Sequence, residues 1–142
     1  MARIVVLGYG NPLRGDDGVG WRVAEAVAEL WADGLVVRTG QQLVPEWAAD
    51  LHEAEIACFV DASLAVDEPT LAPLYADAAA GMDGHDMEPA QLLRLTREVY
   101  GRAPSAFVLH VPATSFDFGD TLTPTATAGV DRAICLLNTF LK

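Results

Sequence analysis

Apolar residues along the chain fall into short continuous runs that alternate with segments of helical spacing. Residues 4–7 (IVVL) form a run closed by Gly8, the pattern of a strand buried on both faces. Val19, Val23, Ala26, Val27 and Leu30 then recur at helical intervals, Asp33-Gly34 ends that helix, and residues 35–37 begin a second strand. Residues 45–51 read as a short helix, and residues 56–60 as a third strand that stops at Asp61. Residues 71–75 make a weaker strand interrupted by Pro73, followed by an irregular stretch over 76–87. Glu88-Pro89 opens a helix with proline at its first position, and Leu92, Leu95, Thr96 and Val99 share one face of it. Residues 106–111 form the fifth strand. After a long polar loop, Thr123-Pro124 opens a last helix with Ala126, Val130, Ala133, Ile134, Leu137 and Leu141 on one face.

This order predicts an α/β domain spanning residues 1–142, a three-layer arrangement with a mostly parallel five-stranded sheet and helices on both faces. In such sheets, ligands bind beyond the carboxyl ends of the strands, so the segments after Leu7, Val60 and Val111 are the first places to look for chemistry. The first two carry acids.

Composition narrows the partners. The 142 residues are 51% hydrophobic, which suits a folded globule, and 9 Lys+Arg against 20 Asp+Glu give a formal charge of −11. That balance argues against a nucleic-acid surface or an anionic membrane, both of which need clustered cations. No run of apolar residues is long enough for a membrane span and the first residues do not read as a signal peptide, so a cytoplasmic protein is expected. Cys58 and Cys135 each sit in an apolar run, where a buried free thiol is expected and a bridge between them is not.

The turn after the first strand reads Gly8-Tyr9-Gly10-Asn11-Pro12-Leu13-Arg14-Gly15-Asp16-Asp17-Gly18-Val19-Gly20. A dinucleotide fingerprint would need a small residue where Leu13 stands and an acid near Arg38, and neither is present. No GKS or GKT occurs, and Asp16 and Asp17 would repel a phosphate. The turn instead delivers two carboxylates to a helix start. Capping by Asp16 or Asp17 is the simple account of one of them, but it leaves the other acid and the density of glycines unexplained.

Asp61 ends the third strand on the same edge, although Asp-Ala-Ser is also good turn chemistry. His85 lies in a Gly-rich stretch before a helix; His52 reads as solvated, and His110, at the end of the fifth strand, is a reserve ligand. Two carboxylates and one imidazole suit a first-row divalent ion with open positions.

The run GYGNPLRGDDGVG after its strand resembles the opening motif of the hydrogenase maturation proteases, G-x-G-N-x-L-x-x-D-[DE]-G-x-G, and matches every fixed position. Phe59-Val60-Asp61-Ala62 resembles that family's strand ending in D-A. His85 followed by Glu88-Pro89-Ala90-Gln91-Leu92-Leu93 resembles its H-x-x-[SG]-P-x-x-L-L segment, and Gly119 to Pro124 its late G-x-x-L-[ST]-P turn. Two departures stand out. Thr39-Gly40-Gln41-Gln42 replaces a common Gly-Gly-Thr stretch, and Glu88 stands where Ser or Gly is common.

The resemblance implies an endopeptidase that removes the C-terminal extension of a [NiFe] hydrogenase large-subunit precursor. It implies that Asp17, Asp61 and His85 contact nickel brought by that precursor, as both the metal-contacting and the catalytic set; Asp16 is left to capping. It also implies that the partner is the precursor; a monomer is the default expectation, and the charge leaves nucleic acid and membrane unexpected as partners. The metal would either activate water and polarise the scissile carbonyl or only dock the substrate while a carboxylate acts as base. No Ser or Cys has a recognisable nucleophile elbow. Rival readings are a metal-sensing chaperone that grips the same tail without cutting it, and a small metal-dependent hydrolase.

Overall fold

The computed structural model describes residues 3–31, 33–78 and 87–142. Residues Ile4–Tyr9 form β1, whose Val5, Val6 and Leu7 are fully buried because helices cover both sides of it. It lies in a five-stranded sheet with β2 (Leu35–Gly40), β3 (Ile56–Ser63), β4 (Thr70–Leu74) and β5 (Ser105–Pro112), in the order β2-β1-β3-β5-β4. All neighbours are parallel except β4, which runs antiparallel to β5 at the edge. An edge is where Pro73 is tolerated, since its missing N–H withholds no bond from a second neighbour. The mostly parallel sheet with helices on both faces is the architecture the sequence pattern predicts.

Alternation along the central strands feeds two cores. Ile4, Val6, Cys58, Val60, Leu109 and Val111 face α1 (Val19–Leu30) and α4 (Pro124–Leu141). Val5, Leu7, Ala57, Phe59, Ala106 and Val108 face α2 (Ala48–Leu51) and α3 (Pro89–Tyr100). Each fully buried Leu or Phe contributes about 1.5–3 kcal/mol, so the two layers together hold the sheet between the helices. Among the described residues no helix is long and apolar enough to cross a membrane.

Some local expectations are corrected. β3 does not stop at Val60. Pairing with β5 continues through Asp61↔His110, Ala62↔Val111 and Ser63↔Pro112, because β5 still offers backbone partners there. Val99 is 62% exposed rather than part of the α3 face, as residues 97–100 stand clear of the core all round. Cys58 is buried but Cys135 is exposed on the outer side of α4, and both are free thiols. His52 is half-buried and stacks on Tyr100 at 3.9 Å, so it is not simply solvated.

Candidate functional site

The glycines of the first turn serve close packing. A Cβ at Gly20 would lie 2.7 Å from the Val60 carbonyl oxygen and 2.8 Å from that of Tyr9, so α1 rests directly on the ends of β1 and β3. Gly10 has φ +134, a conformation L side chains rarely adopt, and its missing Cβ leaves room for Asp17, whose carbonyl oxygen it would otherwise meet at 2.1 Å. The turn that follows is tied to the segment after β5. Gly119 donates its N–H to Leu13 O at 2.7 Å, Gly15 donates to Gly119 O at 2.8 Å, and Asp16 donates to Ser115 O at 2.9 Å.

The two adjacent acids have different environments. Asp17 is half-buried and accepts the Asn11 N–H on Oδ2 at 2.7 Å. Asp16 is fully buried. Its Oδ1 accepts the Thr123 N–H at 2.8 Å. Its Oδ2 accepts the Thr114 N–H at 2.8 Å, the Ser115 N–H at 3.2 Å and the Thr123 hydroxyl at 2.7 Å, with the Thr114 hydroxyl 3.3 Å away. Burial pushes this carboxyl up, but the hydrogen bonds from Thr114, Thr123 and Ser115 outweigh it and hold it below the usual range. Neither acid caps α1, whose N-cap is Gly18 without a side-chain bond. The capping account of Asp16 is therefore corrected: Asp16 binds the Thr123 that caps α4.

Asp61 lies within β3, paired with β5, rather than after the strand. The period of two that places Leu7, Phe59 and Val108 towards α3 continues to Tyr9, Asp61 and His110, which form a row at the carboxyl end of the sheet. The Asp61 carboxyl is raised to about 6, chiefly by burial. His110 and the Ala62 N–H pull it down, and the negative charge of Asp17 pushes it up. The two acids singled out in the sequence thus share one edge and repel each other. His110, a reserve ligand by sequence, stands beside Asp61.

Tyr9 belongs to this group although nothing in the motif spacing marked it. Burial first, then the charge of Asp61, raises its phenol above the ordinary value, so it stays neutral. Its only signal in the sequence is its place two residues beyond Leu7 on the same face. The Cys58 thiol, which faces the opposite layer, is pushed up to about 12 by burial and is no nucleophile near neutral pH. Glu88, the departure from the family motif, forms a capping box with Gln91 at the start of α3.

His85, the third expected contact, lies outside the described residues, as does most of the irregular stretch around it. Among the described residues no group of three or more His, Cys, Asp and Glu side chains is arranged to hold a metal ion. What the edge offers is a pair of carboxylates, one of them half-desolvated, flanked by an imidazole and a neutral phenol. Trp21 closes the β2 side by donating its indole N–H to Gly10 O at 2.8 Å. A cleft of about 400 Å³ opens beside the turn, lined by Gly15, Ser115, Asp117 and Phe118 among others. A larger cavity of about 550 Å³ lies at the opposite end of β5, around Ser105, Arg97 and Arg102, away from the acids.

No protein-family model matches the chain, and no curated protein does. Solved structures do. The hydrogenase maturating endopeptidase HybD from E. coli superposes with a TM-score of 0.76 at 24% identity, over 98% of this chain and 91% of that one. The [NiFe] hydrogenase maturation protease HycI from Thermococcus kodakarensis KOD1 gives 0.75 at 20% identity, over 98% and 90%. The hydrogenase 2 maturation peptidase from Thaumarchaeota archaeon SCGC_AB-539-E09 gives 0.70 at 22%, over 98% and 97%. Over nearly its whole length, the chain has the fold of the hydrogenase maturation proteases.

Proposed function

We propose that this protein is an endopeptidase that removes the C-terminal extension of a [NiFe] hydrogenase large-subunit precursor, and that it recognises nickel carried by that precursor through Asp17, Asp61 and His85. One observation carries the reading. Asp17, in the turn after β1, and Asp61, in β3, share one edge of the sheet, and the negative charge of Asp17 pushes the Asp61 carboxyl up. Such a pair costs free energy in the free protein, and an arriving cation offsets both the burial and the repulsion. The fold shared with the maturation proteases over 98% of the chain supports the class of reaction.

In this reading nickel is part of the substrate. The hard carboxylates and the borderline imidazole make a contact that can later be released, which thiolates would make harder. The ion supplies acidified water or a polarised carbonyl. Asp17 and Asp61 hold the loaded tail at the sheet edge, and the buried Cys58 takes no part.

The test is the mass of a nickel-loaded precursor before and after incubation. Loss of a C-terminal peptide supports the protease; an unchanged mass in a stable complex favours a chaperone and sinks the reading. Asp17→Ala, Asp61→Ala and His85→Ala are expected to fold and to slow cleavage by at least about 100-fold, as loss of groups that orient the reactants does. Full activity in all three variants overturns the residue assignment.

A further inference from the structure

The geometry points to Asp16 as the positioning residue that sets how far the Asp17 carboxylate lies from Asp61; this rests on the protease reading above. Asp16 makes no side-chain bond within its own turn. Among the described residues its side-chain partners are Thr114, Ser115 and Thr123, 98 to 107 residues further along the chain. Those partners are not an independent loop. Residue 113 prolongs β5 against β3, with the Ala113 N–H donating to Ser63 O at 3.0 Å. Asp61 sits on the same β3–β5 pair, in register with His110. The carboxylate of Asp16 therefore joins the turn bearing Asp17 to the strand pair bearing Asp61.

A second clamp acts only within the turn. The Asn11 N–H fixes the Asp17 carboxylate relative to its own backbone. It cannot fix that backbone relative to β3. The long-range clamp does so, helped by Asp16 N–H to Ser115 O and by the Gly15 and Gly119 bonds. Its chemistry is demanding. Every group aimed at Asp16 is a donor, so a side chain that presents an N–H₂ there sets donor against donor. Thr123 also has its hydroxyl committed, since it donates to Asp16, caps α4 by accepting the Ala126 N–H at 3.2 Å, and accepts the Thr114 hydroxyl at 3.0 Å.

The experiment compares wild type with Asp16→Asn, Thr123→Val and Thr123→Ser. Three quantities are read on each: the single-turnover rate of peptide release from nickel-loaded precursor, the dissociation constant for that precursor, and the crystal structure of the free protein. Asp16→Asn and Thr123→Val are expected to lower the rate roughly 10- to 100-fold and to raise the dissociation constant, the usual loss when a hydrogen bond supporting a metal-contacting group is removed. Their structures are expected to show the Asp17–Asp61 separation changed by on the order of 1 Å. Thr123→Ser keeps the hydroxyl and is expected to keep the wild-type rate and separation.

A folded Asp16→Asn with wild-type rate and unchanged separation overturns the inference, because a merely structural role lowers only the melting temperature. Should Asp16→Asn fail to fold, the Thr123 pair decides: equal rates and separations for Val and Ser overturn it. Failure of the wild type to cleave sinks the protease reading, and the crystallographic separations then still decide the role of Asp16.

Discussion

Asp16 and Asp61 are two partly or wholly buried carboxylates that titrate in opposite directions. For Asp61, burial and the neighbouring Asp17 raise the folded-state value from 3.8 to about 6. The folded protein thus holds that proton more tightly than the unfolded chain does. Its stabilising effect is full below 3.8 and is lost as pH rises towards 6. Near neutral pH the ionised group costs on the order of 2–3 kcal/mol. Asp61→Asn is therefore expected to raise the melting temperature by several degrees near pH 7.5 and to change it little near pH 4, by calorimetry at both values. Asp16 has the reverse sign. Its hydrogen bonds stabilise the folded state above the unfolded value of 3.8, and that contribution is lost as pH falls through the lower folded value. A protein that gains stability when a site residue is neutralised is using that residue for something other than folding.

At the level of elements, the contact of α1 with the sheet decides the sign of a simple substitution. Helix propensity alone makes Gly20→Ala stabilising by about 1 kcal/mol. The contacts say otherwise, since the new Cβ would stand 2.7 Å from Val60 O and 2.8 Å from Tyr9 O, both backbone atoms of strands that cannot easily retreat. Overpacking of this kind costs about 1–3 kcal/mol, so Gly20→Ala is expected to destabilise, with the urea midpoint lowered and the slope unchanged. An unchanged or higher midpoint would show that α1 can lift off the sheet freely. The same elements show what a sequence discloses. Buried runs such as 56–60 and the helical spacing from Val19 to Leu30 are written in side-chain pattern, so the elements were legible. Strand ends are not, because they depend on whether a neighbour offers backbone partners, as β5 does for Asp61 to Ser63. The exposure of Val99 has a related cause: its spacing fits the buried stripe, but the core does not reach the last turn of α3, where residues 97–100 are all exposed.

For the whole molecule, the candidate site is an assembly of distant segments. Asp17 and Asp61 were legible because each follows a buried apolar run that fixes where the chain emerges. The partners of Asp16 were not, since no spacing rule links a turn near the start of the chain to Thr114 and Thr123. His110 was visible only as a strand-end residue, and its register opposite Asp61 is a property of the folded sheet. The acid excess argues against a nucleic-acid surface, but it is silent on why one acid of an adjacent pair is buried and the other only half-buried. That division comes entirely from which segment lies across the turn.

The span of the Asp16 contacts also bears on the order of events in folding. Bonds that close a loop of 107 residues form after the local helices and the nearer strand pairs, because chain closure is paid before they reward it. Thr123→Val is accordingly expected to speed unfolding several-fold while leaving the folding rate nearly unchanged, as stopped-flow chevrons would show. A slower folding arm would place this contact in the nucleus instead. During synthesis, the chain carries both acids long before residue 123 has emerged. The spacing between them is complete only when the segment from Thr114 to Thr123 closes over the turn, so an incomplete chain holds the residues of the site without its geometry.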